Sequence, residues 1–516
     1  MARATNPTRV LWQRDGVPDD NSPVDVVWFK RDLRVEDHAA LHAAAQAPAA
    51  GGTVYLYVYE PDLLAHASVH PGHVRLVGDA LGDLASELTQ RGGTLWVRSG
   101  RMPDVLTSIA REVGPIRRLL SHQETGHAAS FARDRRVQAW CRTHRVSWTE
   151  FQQDAVERGL KQRDGWSGRW RAFMTREPWP TPSHLPASPA GEPGVPQSPE
   201  ALGLHAPGLD RILHGGSRAA HERLASFLTE RGRTYTKAMA FPHAGAQACS
   251  RLSADLAVGA LSARTAYQTA GVRLRELEGV DGVWARSVRS FRRRLAWRSH
   301  FMQKLESEWT LETQAMNREL DGVHPHGTDH PHFAAWRDGR TGFPLVDAGM
   351  RALEATGWVN FRLRATIVSV ATHTLGLDWR PVGEVLARRF LDFEPGIHWS
   401  QVQMQASVTG INTIRIYNPH KQALDVDPDA TFVRTWVPEL ADAPGRDALR
   451  PDLAPPLSRA LMGDYPNPVV DQKAAYRTAR DRLYRLKGHP AVKAASQQVL
   501  ARHVDPHDKR PDGQRG

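Results

Sequence analysis

The chain has 516 residues, 67 Lys+Arg against 56 Asp+Glu, a formal charge of +11 and 41% apolar residues; this is a globular mixture, and at about 150 residues per domain it allows about three domains. Its two cysteines, Cys141 and Cys249, exclude a four-thiolate metal or iron–sulfur site and a disulfide framework, which fits a reducing cytoplasm. There is no apolar run of about 18 residues to span a membrane and no signal-peptide core at the N-terminus, while the basic balance points to a polyanionic partner, nucleic acid or an anionic cofactor.

Residues 1–22 read as a disordered leader. "VDVVWF" (24–29) and "TVYLYVY" (53–59) are short and continuously apolar, as parallel strands buried on both faces are. "EDHAALHAAAQ" between them is helix-like, and "HVRLVGDALGDLASELTQRG" carries a helical period that stops at Gly92. "GTLWVRSG", "IRRLLSH" and "VSWTEFQ" continue the alternation, so 23–153 is predicted to be a Rossmann-like α/β domain with a parallel sheet. Residues 154–215 form an interdomain linker; Pro, Ser, Ala and Gly dominate from 175 to 210 and predict an extended surface crossing. From 216 to 490 strand signals vanish, and successive helical periods predict an all-α domain. Residues 491–516 read as a polar, disordered tail.

Three stretches carry chemistry. In "VVWFKRDLRVEDHAAL" (26–41) a strand runs into a turn where Lys30, Arg31 and Arg34 balance Asp32, Glu36 and Asp37; by itself it reads as an ion-paired turn. "CSRLS" (249–253) opens a helix with Ser250 and Ser253, which is either a plain N-cap or a place for a phosphate at a helix N-terminus. In "RSVRSFRRRLAWR" (286–298), Arg286, Arg289 and Arg293 share one helical face, suited equally to solvent and to DNA phosphates. The histidines of "HPHGTDHPH" (324–332) have His-x-His spacings that can hold a metal, but His-Pro segments in a polar loop are mostly solvated, and no metal is assigned.

Taken as a whole string, "VVWFKRDLRVEDHAAL" resembles the start of the photolyase/cryptochrome family. "CSRLSADLAVGALSAR" (249–264), "LAWRSHF" (295–301), "TGFPLVDAGMRALEATGW" (341–358), "LDWR" (377–380), "IRIYNPHKQ" (414–422) and "FVRTWVPEL" (432–440) match family patterns in the same order. The resemblance implies an N-terminal antenna domain and a C-terminal helical domain that holds FAD. It implies a flavin site built from Tyr235, the Ser250-Arg251-Leu252-Ser253 turn, Arg298, Asn360 and Phe361. Arg364 would pair with Asp392, followed by Phe393 and Glu394 where the family usually has Asp-Gly-Asp. His398 falls near the place of an asparagine beside flavin N5, and Glu124 near a position that contacts a folate-type antenna; a deazaflavin-type antenna is the other possibility. Trp297 matches the tryptophan lining the dimer pocket, with Arg294 and Met404 at neighbouring DNA-contact positions.

Departures from the family pattern are specific. Val402 stands where the flavin-proximal relay tryptophan belongs, Met404 where a second tryptophan packs on the dimer, and His326 where the outermost relay tryptophan is expected. Trp379 is the surviving relay member, and Trp399 or Trp358 is the candidate substitute. Arg294 replaces a glutamate that contacts the dimer, Phe361 an asparagine, and Met239 an arginine. The chain thus resembles a divergent, bacterial-type branch without the tryptophan triad. The expected function is FAD-dependent, blue-light repair of pyrimidine dimers in UV-damaged DNA by a cytoplasmic monomer. The alternatives are a cryptochrome-like photoreceptor and a light-independent nucleic-acid-binding flavoprotein.

Overall fold

The structure, a computed structural model, describes residues 22–205 and 212–506. The expected leader through residue 21, residues 206–211 of the linker and residues 507–516 of the tail lie outside the described residues. Five parallel strands, β1 (Val24–Phe29), β2 (Thr53–Tyr59), β3 (Leu95–Ser99), β4 (Ile116–His122) and β5 (Ser147–Phe151), lie in the order β3-β2-β1-β4-β5. Side chains alternate across β1: Val27 and Phe29 pack with Leu81, Leu84 and Leu88 on one face, Val26 and Trp28 with Leu106, Ile109 and Val137 on the other. Both faces are therefore dry, which is why β1 and β2 read as unbroken apolar runs.

The linker is more structured than its composition suggests. Trp166–Thr175 is a helix that buries Trp166, Trp170, Phe173 and Met174 at i, i+4, i+7 and i+8. Beyond it the Pro-rich run is extended but strapped to the sheet, through Leu185 N–H to Arg91 O (2.7 Å), Thr53 N–H to Ala187 O (3.0 Å) and Val97 N–H to Pro193 O (2.7 Å). The polar tail also needs correction. Pro490–His503 is a helix that buries Val492, Val499 and His503, and His503 Nε2 lies 2.7 Å from Glu308. Its larger apolar residues, Val492, Val499 and Leu500, are too few among small alanines to mark a clear helical period.

The remaining helices pack as an all-α domain around Trp336, Phe343, Trp379 and Trp399. Its spine is the 26-residue helix Gly282–Ser307. The turn after β1 clamps the two domains together. Arg31 donates to Ala257 O (2.8 Å), Leu33 N–H to Val258 O (3.2 Å) and Arg34 to Gly259 O (2.9 Å). Asp37 binds Arg264 and the Ser262 hydroxyl (2.6 Å). Gly259 has φ +71°, and a Cβ there would overlap the Arg31 carbonyl. Gly259→Ala combines left-handed strain with steric overlap, so a loss of about 2–3 kcal/mol is expected, read as a lower thermal midpoint; an unchanged midpoint would mean that the domains do not depend on this contact.

Candidate functional site

The geometry starts at the turn before the short helix Ser253–Val258. Arg231 donates to the carbonyls of Cys249, Ser250 (2.6 Å), Gln247 (3.2 Å) and Arg223 (3.0 Å). Because each peptide is planar and trans, holding the Cys249 and Ser250 carbonyls on one side turns the Ser250 and Arg251 N–H groups to the other. Arg251 is left-handed (φ +60°) and Leu252 right-handed (φ −87°, ψ −1°), the alternation that gathers successive N–H groups into an anion-binding concavity. Among the described residues the backbone N–H groups of Ser250, Arg251 and Leu252 have no protein acceptor. The Leu252 side chain is buried in the core with Tyr235, and the Arg251 guanidinium lies 4.1 Å over Trp358. Three free donors beside a half-buried cation are what a pyrophosphate requires.

Asp392 lies next to this turn. Arg364 grips it with two parallel hydrogen bonds, 3.0 and 2.8 Å, and the Ser253 side chain lies nearby. Burial alone would raise its carboxyl, but Arg364, with Ser253 and Arg251, holds it below the usual carboxylate range. Asn360 donates Nδ2–H to Met239 O (3.0 Å), while its buried Oδ1 has no partner. A buried acceptor without a donor is costly unless a ligand supplies one. His398 is buried, gives Nε2–H to Gly383 O (2.8 Å), and is held neutral by burial with a pKa of about 4. With Nε2–H given to Gly383, the neutral ring offers Nδ1 as an acceptor.

A second group of residues forms a mouth. Trp297 and Phe361 are partly exposed (37% and 45%), and the Arg294 guanidinium lies 4.4 Å from the first ring and 5.4 Å from the second. Arg294 also lies near the buried Tyr235 hydroxyl and approaches Met239 Sδ at 3.9 Å. Arg286, Arg289 and Arg293 are exposed on the same helix, 11, 8 and 4 residues before Trp297, so they run as a stripe toward the mouth. None of these three arginines is ion-paired among the described residues.

Comparison with known proteins decides the lineage. The family described as "DNA photolyase" matches residues 25–157, and that described as "FAD binding domain of DNA photolyase" matches 291–485. A cryptochrome DASH of Natronomonas pharaonis is 31% identical over 485 residues, 88% of this chain and 99% of that protein. The chain belongs to the photolyase/cryptochrome family. A deoxyribodipyrimidine photo-lyase of Halobacterium salinarum is 29% identical, over 90% of this chain and 100% of that protein. The crystal structure of a bacterial class III photolyase from Agrobacterium tumefaciens superposes with TM-score 0.78 at 25% identity, over 91% of this chain and 98% of that one.

Three of the expected flavin-site residues make contacts across the domain seam. Glu394 is taken up by Arg31 (3.0 Å) of the α/β domain, with Arg298 at 3.6 Å. Arg298 is further tied to Asp154 (2.7 Å) and Leu256 O (3.0 Å). Phe393 stacks on His73 of the α/β domain, and its carbonyl accepts from Arg31 (3.2 Å). Sequence order assigned these residues by position, but Arg31 is 363 residues from Glu394 and invisible to that reasoning. Met404, half-buried in the last turn of Pro395–Gln405, has no polar or ring contact among the described residues.

Of the two substitute relay candidates, Trp399 stands with Trp379. Their rings lie 6.1 Å apart, and the His398 ring lies 5.0 Å from Trp399. Trp358 sits instead under Arg251. Both Trp379 (1% exposed) and Trp399 (2%) are buried in the core with unpaired indole N–H groups. Val402 packs in the same core.

The fold places a ligand crevice where β1 and β4 diverge, beyond their carboxyl ends. Here it is filled with charge. Arg133 binds Glu60 (3.1 Å), Glu124 (2.5 Å) and Asp134 (2.9 Å), Lys30 reaches Glu150 (3.3 Å), and both cations lie over Trp28. The adjoining seam crevice, lined by Arg31, Glu124 and Glu394, has room for ≈ 20 Å³, about one water. The residues present therefore do not fit a folate or deazaflavin in this crevice.

The histidine loop does not converge. His324 is buried on Ala406 O (2.9 Å), while His326, His330 and His332 cluster outside. Among the described residues, Asp32, His38 and His122 alone have metal-ligand spacing. His38 Nδ1 accepts the Leu41 N–H and His122 Nε2 accepts the Ala39 N–H, so each ring must turn a proton toward Asp32. A metal would find those lone pairs taken.

Proposed function

We propose that the protein is a flavin-dependent DNA photolyase. The observation that carries this reading is the mouth: exposed Trp297, packed on Arg294, ends a stripe of unpaired arginines. FAD, when bound, supplies the light-driven electron and accepts it back after the dimer splits. The chain's residues position and bind. The Ser250–Ser253 turn supplies donors for the pyrophosphate, Asp392 and Asn360 Oδ1 supply acceptors for ribityl or ring donors, and Arg364 keeps Asp392 ionised. Arg286, Arg289 and Arg293 neutralise phosphates, and a damaged pair flipped out at a cost of a few kcal/mol is received on the Trp297 face. Arg294, with its fork of donors, replaces an acid there and suits pyrimidine carbonyl oxygens.

This reading is tested in the dark by titrating labelled duplexes with and without one cyclobutane dimer or one (6-4) product. The expected result is at least about tenfold tighter binding of one damaged duplex, a preference largely lost in Trp297→Ala. Equal binding of damaged and intact DNA would contradict it. A photoreceptor without repair is the second reading. Arg294 favours it, because a guanidinium packed between Trp297 and Phe361 occupies the place where a base would stack.

The buried Trp379–Trp399 pair carries one further expectation. With the Trp399 ring 6.1 Å from that of Trp379, the surviving relay member, Trp399→Phe should slow light-driven FAD reduction while leaving FAD content intact. An unchanged rate would assign the pair to packing alone.

A further inference from the structure

A second groove lies on the helical domain, away from the Ser250–Ser253 turn. One wall is the loop and helix around Ile416, Tyr417, Asn418 and Lys421; the other is the first turns of helix Gln472–Gly488, with Lys473, Tyr476 and Arg477. Its volume is ≈ 650 Å³, within the range that holds a ligand of nucleotide size. Asn418 Nδ2–H to Gln472 Oε1 (3.3 Å) ties the walls together.

Its chemistry is one-sided. Lys473 and Arg477 are exposed and have no ion pair or side-chain hydrogen bond among the described residues, and the same is true of Arg415, which precedes Ile416 of the groove wall. The acids nearby are engaged: Asp425 pairs with Lys421, and Asp471 caps the Ala474 N–H. Tyr476 is 38% exposed, and neither its hydroxyl nor that of Tyr417 has a hydrogen-bond partner among the described residues. Free aromatic faces interleaved with unpaired cations form a stacking platform with phosphate contacts, the design that takes unpaired nucleic acid. A duplex would hide its base faces from these rings.

The groove is joined to the mouth. Gln422 in its wall accepts Arg362 Nε–H (3.0 Å), and Arg362 follows Phe361, which packs on Arg294 beside Trp297. A strand that left a base at Trp297 would pass Phe361 and Arg362 and enter between Tyr417 and Tyr476. We propose that this groove binds an unpaired nucleotide of the DNA strand that carries the lesion, stacking its base on Tyr476 and pairing its phosphates with Lys473 and Arg477. The inference rests on the DNA-repair reading of the mouth.

The test is fluorescence anisotropy with a labelled single-stranded 12-mer that carries one cyclobutane dimer, the matching duplex, and the isolated dinucleotide dimer as competitor. The variants are Lys473→Ala/Arg477→Ala, Tyr476→Ala and Tyr476→Phe, all exposed positions. The double variant should weaken single-strand binding at least about tenfold and lower the salt slope by about 1.4, two phosphates at ~0.7 each. Tyr476→Ala should cost about tenfold, with Tyr476→Phe near the parent, since stacking needs the ring and not the hydroxyl. Competition by the dinucleotide, too short to span both sites, should be unchanged. Parent-like single-strand binding by all variants overturns the groove while leaving the repair reading standing. Equal losses on the duplex overturn the assignment to an unpaired strand. A parent that prefers no damaged DNA overturns both readings.

Discussion

Arg364→Ala is expected to abolish FAD retention. Asp392 is buried, and Arg364 supplies both of its strong hydrogen bonds, at 3.0 and 2.8 Å. Removing the guanidinium leaves a carboxylate in a dry site with only Ser253 and the edge of Arg251, a loss of about 3–5 kcal/mol for a broken buried pair. Borne by the bound form, that is about two to three and a half orders of magnitude in Kd. Arg364→Lys should rescue only in part, because an ammonium cannot reproduce the parallel fork. The check is flavin released per protein on desalting, with circular dichroism to show that the fold survives. Retention of FAD by Arg364→Ala would show that Asp392 does not face the cofactor. The pH dependence of this pair follows from its direction: the Asp392 carboxyl is depressed, so its contribution is present above the ordinary carboxylate pKa and is lost as pH falls through the lower folded value.

The second large effect is acid unfolding driven by histidines. His38, His73, His127, His324, His398 and His503 are each held down to a pKa of about 4, with burial the leading cause. His300 and His373 are also held well below the usual histidine value, again mainly by burial. In the unfolded chain each returns to about 6.5, so between about pH 6.5 and 4 unfolding takes up protons that the native state refuses. Every fully titrating group steepens the loss by about 1.4 kcal/mol per pH unit. Even half of these groups would remove about 5 kcal/mol over one unit, comparable with the whole stability of an ordinary domain. The protein is expected to be stable above pH 7 and to unfold near pH 5, before its carboxylates protonate. Denaturant titrations at pH 7.5, 6.5 and 5.5 would show it; a flat midpoint across that range would mean that these histidines are solvated.

What the sequence disclosed depended on how local the physics was. The strands were legible because β1 and β2 are buried on both faces and so are unbroken in apolar character. The Arg364–Asp392 pair was legible because each residue sits in its own ordered motif. Arg231 was missed since it binds backbone carbonyls, which leave no trace in side-chain spacing. The seam role of Glu394, Phe393 and Arg298 was hidden because it depends on Arg31 and Asp154, whose approach is set by domain docking. The helices at Trp166 and Pro490 were obscured for opposite reasons, one by the Pro-rich run beside it and the other by having too few apolar residues.

The most direct test of the repair assignment is light-dependent loss of a defined lesion. FAD in the purified protein would be reduced chemically beforehand, so that the buried Trp379–Trp399 pair does not limit the result. Oligonucleotides carrying one cyclobutane dimer or one (6-4) product would then be incubated in blue light and in darkness. The account predicts that one of the two lesions is restored to intact pyrimidines in light and that neither changes in the dark. Persistence of both lesions under light, with FAD shown to be bound and reduced, would contradict it and leave the photoreceptor reading in its place.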